Sequence, residues 1–223
     1  MTKKTVLAFD FDGTIANSVY LEKYTIFTTA EKFMDAKTLA AFDKSHVEKY
    51  YGPTEKGIIK KLVPKESFPA AWDYFIKLYN EQSRIMMPKP FDGIKDLLNK
   101  YSQRKDVLVV MLTGRSPETL AISLKDLGLE PYFAKCYTGA MTGVNKDKSI
   151  LKLLHDYGLN KNDVLYIGDT VADIKVMRKV NVDLISAVYG YPKDYQDSID
   201  KLNPSLVAHT VQELDELLKK ATH

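Results

Sequence analysis

One cysteine, Cys136, stands alone in 223 residues, so the chain has no internal disulfide and gives no sign of an oxidising compartment. Long apolar runs are also missing. The first, Val6 to Phe9, stops at Asp10, too short for the apolar region of a signal peptide or for a bilayer span. Dense Lys/Arg blocks are absent: Lys3-Lys4 and Lys60-Lys61 are only pairs, and the net charge is +3. A binder driven by counterion release would carry more, so nucleic acid is not an expected partner, nor is a membrane. The 4 histidines are scattered without ligand spacing. The expected home is the cytoplasm, and monomer and homodimer both fit.

Hydrophobic residues make up 45% of the chain and charged residues 27%, enough for a large core without staples. Glycine is unevenly spread. Between Asn17 and Pro88 only Gly52 and Gly57 occur. That stretch reads as helical, with helices expected over Val19–Met34, Leu39–Tyr51, Thr54–Val63 and from Ser67 onward. Outside it, apolar strand candidates alternate with helical patterns. The strands are Thr5–Phe9, Val107–Leu112, Lys135–Thr138, Val164–Ile167, Leu184–Val188 and Leu206–Ala208.

Such alternation predicts an α/β fold: a Rossmann-like, doubly wound parallel sheet with an inserted helical domain. The core is expected at 1–16 and 89–223, and a helical cap at 17–88. The cap replaces a connection that usually takes about 2–6 residues. Asn17-Ser18 and Met87–Pro90 are the expected crossings.

In open parallel sheets ligands sit at the carboxyl ends of strands, and there the acidic residues collect. The first strand runs into Asp10-Phe11-Asp12-Gly13-Thr14, the Val107 strand into Thr113-Gly114-Arg115, and the Val164 strand into Gly168-Asp169-Thr170, with Asp173 four residues after Asp169. Carboxylates so gathered repel one another unless a divalent cation joins them, and Mg²⁺ suits oxygen ligands and a phosphate substrate. Asp10 can then attack phosphorus, and Asp12 can protonate the leaving oxygen and later deprotonate water. Thr113 and Gly114 can donate to phosphate oxygens, and a lysine would complete the charge balance, with Lys146 and Lys148 both placed for it.

Asp10-Phe-Asp-Gly-Thr14, Thr113, Lys146 and Gly168-Asp-Thr-Val-Ala-Asp173 resemble, in order, the four motifs of the haloacid dehalogenase superfamily. Val188-Tyr-Gly-Tyr191 and the tail from Leu206 to Leu218 are similar to its phosphoglycolate-phosphatase and β-phosphoglucomutase branch. The resemblance implies Asp10 as nucleophile and Asp12 as acid/base, and it favours Lys146 over Lys148. It also implies Mg²⁺ on Asp10, the Asp12 backbone carbonyl and Asp169, with Asp173 helping. Asp12 argues against true dehalogenation, which needs no proton donor there.

The sequence departs from the branch at Asn17 in Asn17-Ser18 and at Gly114 after Thr113, both at the substrate rim. Gly114, Arg115 and the cap segment with Tyr51, Gly52, Thr54 and Lys56 are therefore the expected substrate contacts. The expected function is a Mg²⁺-dependent phosphatase acting on a small phosphorylated metabolite, phosphoglycolate-like or a sugar phosphate. A phosphomutase would use the same residues. A phosphate-binding relic would have lost Asp10, Asp12 or Asp169, and all three are present.

Overall fold

The computed structural model describes residues 3–50, 54–139 and 146–223. Strand β1 (Val6–Phe9) is followed by helices α1 (Val19–Phe33), α2 (Ala36–Ala41), α3 (Glu55–Leu62) and α4 (Phe68–Met86). Then come α5 (Ile94–Ser102), β2 (Leu108–Leu112), α6 (Pro117–Leu127), β3 (Lys135–Tyr137) and α7 (Lys146–Tyr157). The chain continues through β4 (Val164–Gly168), α8 (Val171–Val180), β5 (Asp183–Ala187), α9 (Lys193–Leu202), β6 (Val207–Ala208) and α10 (Val211–Thr222).

All six strands are parallel, in the order β3-β2-β1-β4-β5-β6. Val6 pairs with Leu108 on one side and Val164 on the other, so β1 is bonded along both edges. Its residues alternate between two apolar layers. Leu7 and Phe9 pack with Val109, Met111, Leu165 and Ile167 beneath α5, α6 and α10. Val6 and Ala8 pack with Val110, Val164 and Tyr166 beneath α7, α8 and α9. Burial on both faces is why these strands read as unbroken apolar runs, and each fully buried side chain such as Phe9 contributes about 1.5–3 kcal/mol. The chain leaves β1 first toward β2 and later returns on its other side as β4. The carboxyl end of β1 is therefore a switch point where a crevice opens.

Helices α1, α3 and α4 surround a third apolar cluster of Leu21, Ile26, Phe27, Ile58, Ile59, Trp72 and Phe75. The expected helix over Leu39–Tyr51 is not continuous: α2 ends at Ala41, a 3₁₀ segment occupies Lys44–Tyr50, and His46 breaks it at φ −132° and ψ 53°. Asp43 explains the break. Its carboxylate accepts from Ser45 N at 3.1 Å, Ser45 Oγ at 2.6 Å and Lys49 Nζ at 3.0 Å, competing with helical bonding of the backbone. Helix α9, which the sequence reading did not contain, buries Ile199.

The two crossings between the helical insert and the sheet are tied to each other. Asn17 N donates to Lys89 O at 3.0 Å, and Phe91 N donates to Ile15 O at 3.0 Å. Among the described residues no helix is long and apolar enough to cross a membrane.

Candidate active site

β1 delivers Asp10 to the switch point, where its backbone N–H still donates to Ile167 O at 2.8 Å. Gly13 then turns the chain at φ +74°, and a Cβ there would meet Asp169 Oδ2 at 2.4 Å. Only glycine permits this close approach of the first loop to the β4 loop. The Asp10 Oδ1 atom accepts from Phe11 N at 2.8 Å, and Lys146 Nζ donates to Asp10 Oδ2 and to Asp173 Oδ1, each at 2.6 Å. Lys148 is exposed. Of the two lysines, it is therefore Lys146 that reaches the carboxylates, from the first position of α7.

Asp173 is fixed by a capping box at the start of α8. Asp173 N donates to Thr170 Oγ1 at 3.1 Å, and Thr170 N donates back to Asp173 Oδ2 at 3.1 Å. Asp169 accepts from Thr14 Oγ1 at 3.0 Å and from Tyr191 Oη. Asp10, Asp169 and Asp173 each offer an oxygen within 4.8 Å of the others, and all three are buried. Burial, opposed by Lys146, pushes Asp10 up to about 6. Burial, and then the charges of Asp10 and Asp173, push Asp169 well above the usual carboxylate range. One lysine does not neutralise three buried carboxylates. The hard oxygen donors and their residual negative charge fit a divalent cation.

Asp12 faces a different neighbourhood. Arg115 Nε donates to its Oδ2 at 2.7 Å and Arg115 Nη2 to its Oδ1 at 2.6 Å, a bidentate pair, and Ser18 Oγ adds a bond to Oδ1 at 2.6 Å. Burial alone would raise Asp12, but the Arg115 guanidinium outweighs it and holds the carboxyl below its ordinary value. The Asp12 carboxylate is thus spoken for by Arg115 and Ser18 and lies outside the Asp10–Asp169–Asp173 cluster.

Arg115, one of the expected substrate contacts, borders the site cavity yet is only 1% exposed, with Nη1 donating to Ser123 Oγ at 2.7 Å and to Tyr79 Oη of α4. The residue therefore joins the acid/base candidate to the helical insert. A second link is Glu55 of α3, whose carboxylate accepts from Ser116 N at 2.9 Å and Thr119 Oγ1 at 2.8 Å at the start of α6.

A cavity of about 710 Å³ lies over these groups. From the sheet it is lined by Asp10, Asp12, Thr113, Gly114, Lys146 and Asp169, and from the insert by Val19, Glu22, Lys23 and Thr54. The Thr113 hydroxyl accepts from Arg115 N at 3.3 Å, which leaves its proton to donate. Thr54 caps α3 by accepting from Gly57 N at 3.0 Å, and it meets the sheet domain closely: a Cβ on Gly139 would lie 2.3 Å from its Cγ2. Lys56 lines a smaller adjoining cavity of about 330 Å³ with Lys60 and Glu118. Its ammonium sits 5.0 Å over the Trp72 ring. Tyr51 and Gly52 lie outside the described residues.

Glu22, Glu55, Tyr79 and Tyr191 have no individual role that the sequence alone assigns. The first three lie in helices whose apolar stripes carry the visible signal. Tyr191 stood in a segment noted only for its likeness to relatives.

Comparison with known proteins agrees with this geometry. Residues 7–187 match the family of haloacid dehalogenase-like hydrolases. The phosphoglycolate phosphatase of Aquifex aeolicus is 26% identical over 191 residues, covering 84% of this chain and 86% of its own. A hydrolase from Pseudomonas syringae superposes with a TM-score of 0.76 at 18% identity, over 99% of this chain and 100% of its own. A hydrolase of Bacillus subtilis, crystallised bound to magnesium, superposes at 0.67 and 17% identity, over 98% of this chain and 100% of its own. With the family's matched span covering every strand but β6, and the acidic cluster at its switch point, the chain belongs to the haloacid dehalogenase-like hydrolases and is an enzyme of their phosphatase type.

Proposed function

We propose that the protein is a Mg²⁺-dependent phosphatase that hydrolyses a small phosphate monoester through an aspartyl-phosphate on Asp10. The observation that carries this reading is the pairing of two carboxylates two residues apart with opposite surroundings. Asp10 lies in the cluster with Asp169, Asp173 and Lys146, and Asp12 lies outside it on Arg115. Asp10 supplies the attacking oxygen, and the ester oxygen departs with the alcohol. Asp12, protonated once the bound ester displaces its contacts with Arg115 and Ser18, supplies the proton to that oxygen and afterwards takes one back from the water that attacks the aspartyl-phosphate, releasing inorganic phosphate and restoring both aspartates. Lys146, Thr113 Oγ1 and the Gly114 backbone N–H stabilise the charge that spreads over the phosphoryl oxygens.

Asp10, Asp169 and Asp173, with the Asp12 backbone carbonyl, would hold Mg²⁺, which when bound supplies charge neutralisation for the phosphoryl group. The Bacillus subtilis neighbour's bound magnesium supports that choice. The names of the curated relatives support a small organic phosphate as substrate. Residues 17–88 would act as a cap over the core of 1–16 and 89–223. Closed over the site, this cap excludes water from the first half-reaction and brings Thr54 to the alcohol part of the substrate.

The test is a panel of phosphate esters with Mg²⁺, assayed for released phosphate and for isomerised product. Phosphate release that stops in excess chelator and returns with Mg²⁺ is the expected result. Isomerisation without net release would convert the reading to a mutase, and full turnover in chelator would overturn the metal assignment.

A further inference from the structure

We propose that the alcohol part of the substrate carries hydrogen-bond donors, hydroxyl or ammonium, rather than a carboxylate, and that Glu22 reads them. The proposal rests on the phosphatase reading and concerns only which ester is chosen.

Glu22 lies in the first turn of α1, and its backbone N–H donates to Ser18 O at 3.0 Å. It therefore stands one helical turn beyond Ser18 on the same face. Ser18 Oγ is the group that touches Asp12, at 2.6 Å. Since Asp12 protonates the departing oxygen, the next turn of this face overlooks the place where the alcohol must lie. The Glu22 side chain does line the cavity together with Asp10 and Asp12. Among the described residues it has no hydrogen-bond or ion-pair partner, and burial, then the like charges of Asp12 and Glu55, hold its carboxyl well above the ordinary range while no donor meets it.

That guanidinium, on Arg115, is already bound to Asp12 through two nitrogens. The other cations of the cavity are largely committed as well: Lys146 to Asp10 and Asp173, and Lys179 to Asp147 at 2.7 Å. Lys23 lines the cavity too, and it has an interaction of its own. An ester that brings hydroxyl or ammonium groups gives Glu22 the donor it lacks. An ester that brings a carboxylate adds a like charge to a desolvated acidic wall.

The experiment compares glycerol phosphate and a hexose phosphate, phosphoethanolamine and phosphoglycolate with the Mg²⁺-loaded wild type, Glu22→Gln and Glu22→Lys. The expected wild-type kcat/KM for at least one donor-bearing ester exceeds that for phosphoglycolate by about tenfold or more. Glu22→Gln should shift the ratio toward phosphoglycolate by about fivefold, and Glu22→Lys further. The hydroxylated and ammonium arms identify which donor is read. A wild-type preference for phosphoglycolate, or an equal change on every ester in the Glu22 variants, would overturn the proposal.

Calorimetric affinities of the same esters for Asp10→Asn, with and without Glu22→Gln, give the ranking without turnover. An unmoved ranking there also sinks the proposal. Failure of the broader reading looks different: no phosphate is released from any ester, p-nitrophenyl phosphate included.

Discussion

In the sheet domain, both carboxylate oxygens of Asp10, Asp12, Asp169 and Asp173 have partners: Phe11 N and Lys146, Arg115 with Ser18, Thr14 and Tyr191, Lys146 and Thr170. In the helical insert, Glu22 faces the same cavity without any among the described residues. In the proposed mechanism, Asp10 and its cluster are oriented before substrate arrives, which costs nothing at the moment of reaction. The group that meets the variable part of the substrate is left unsatisfied until the right partner supplies a donor. Reaction and choice are thus assigned to different parts of the chain.

The sharpest way to break this division is at Asp10. Asp10→Asn keeps the shape but cannot attack phosphorus, so kcat should fall by at least about 10⁴-fold on every ester. An unchanged circular dichroism spectrum would show that the fold survives. Residual activity at about a tenth of wild type would break the assignment.

Next is Lys146→Ala, expected to cost about 10²–10³-fold in kcat, against less than about twofold for the exposed Lys148→Ala. Initial rates at saturating ester distinguish them, and equal effects would remove Lys146 from the core machinery.

Arg115 joins the two regions, so Arg115→Ala tests whether they are energetically coupled. It strands a partly buried carboxylate that keeps only Ser18 and removes the bond to Tyr79, and should cost about 3 kcal/mol in denaturant unfolding. A loss under about 1 kcal/mol would mean the pair contributes little to joining them.

The smallest expected effect concerns pH. Burial, only partly opposed by Arg115, raises Glu55 from its ordinary 4.5 to about 6. A raised carboxyl favours the folded state when protonated. Its contribution is therefore present below about 4.5 and lost as pH rises through about 6, a change of about 2 kcal/mol. Glu55→Gln should flatten unfolding free energy against pH in that window, and an unaltered slope would refute the assignment.

The sheet was legible because strands covered on both faces must be apolar throughout, and Val107–Leu112 and Val164–Ile167 could hardly be anything else. The acidic groups were legible because each follows such a run. What could not be read were partners set by tertiary geometry. Nothing local to Thr113-Gly114-Arg115 says that the guanidinium turns inward to Asp12, 103 residues away. The break at Asp43 depends on which of two hydrogen-bonding options its carboxylate takes, and a helical apolar stripe does not decide that. Helix α9 buries only Ile199 and so carries little apolar signal.

The position of β1 has a consequence for how the molecule is made. This strand leaves the ribosome before either of its neighbours, which are a hundred and more residues away, Val6 lying against Leu108 and Val164. The insert helices, whose apolar cluster spans Leu21 to Tyr79, have a complete set of mutual contacts long before either neighbour exists. Nearby contacts close cheaply and distant ones late. The segment that carries Asp10 therefore waits unpaired until about half of the chain is made, and the site comes together only when β4 has emerged, so a chain truncated before residue 164 holds Asp10 but no place to use it.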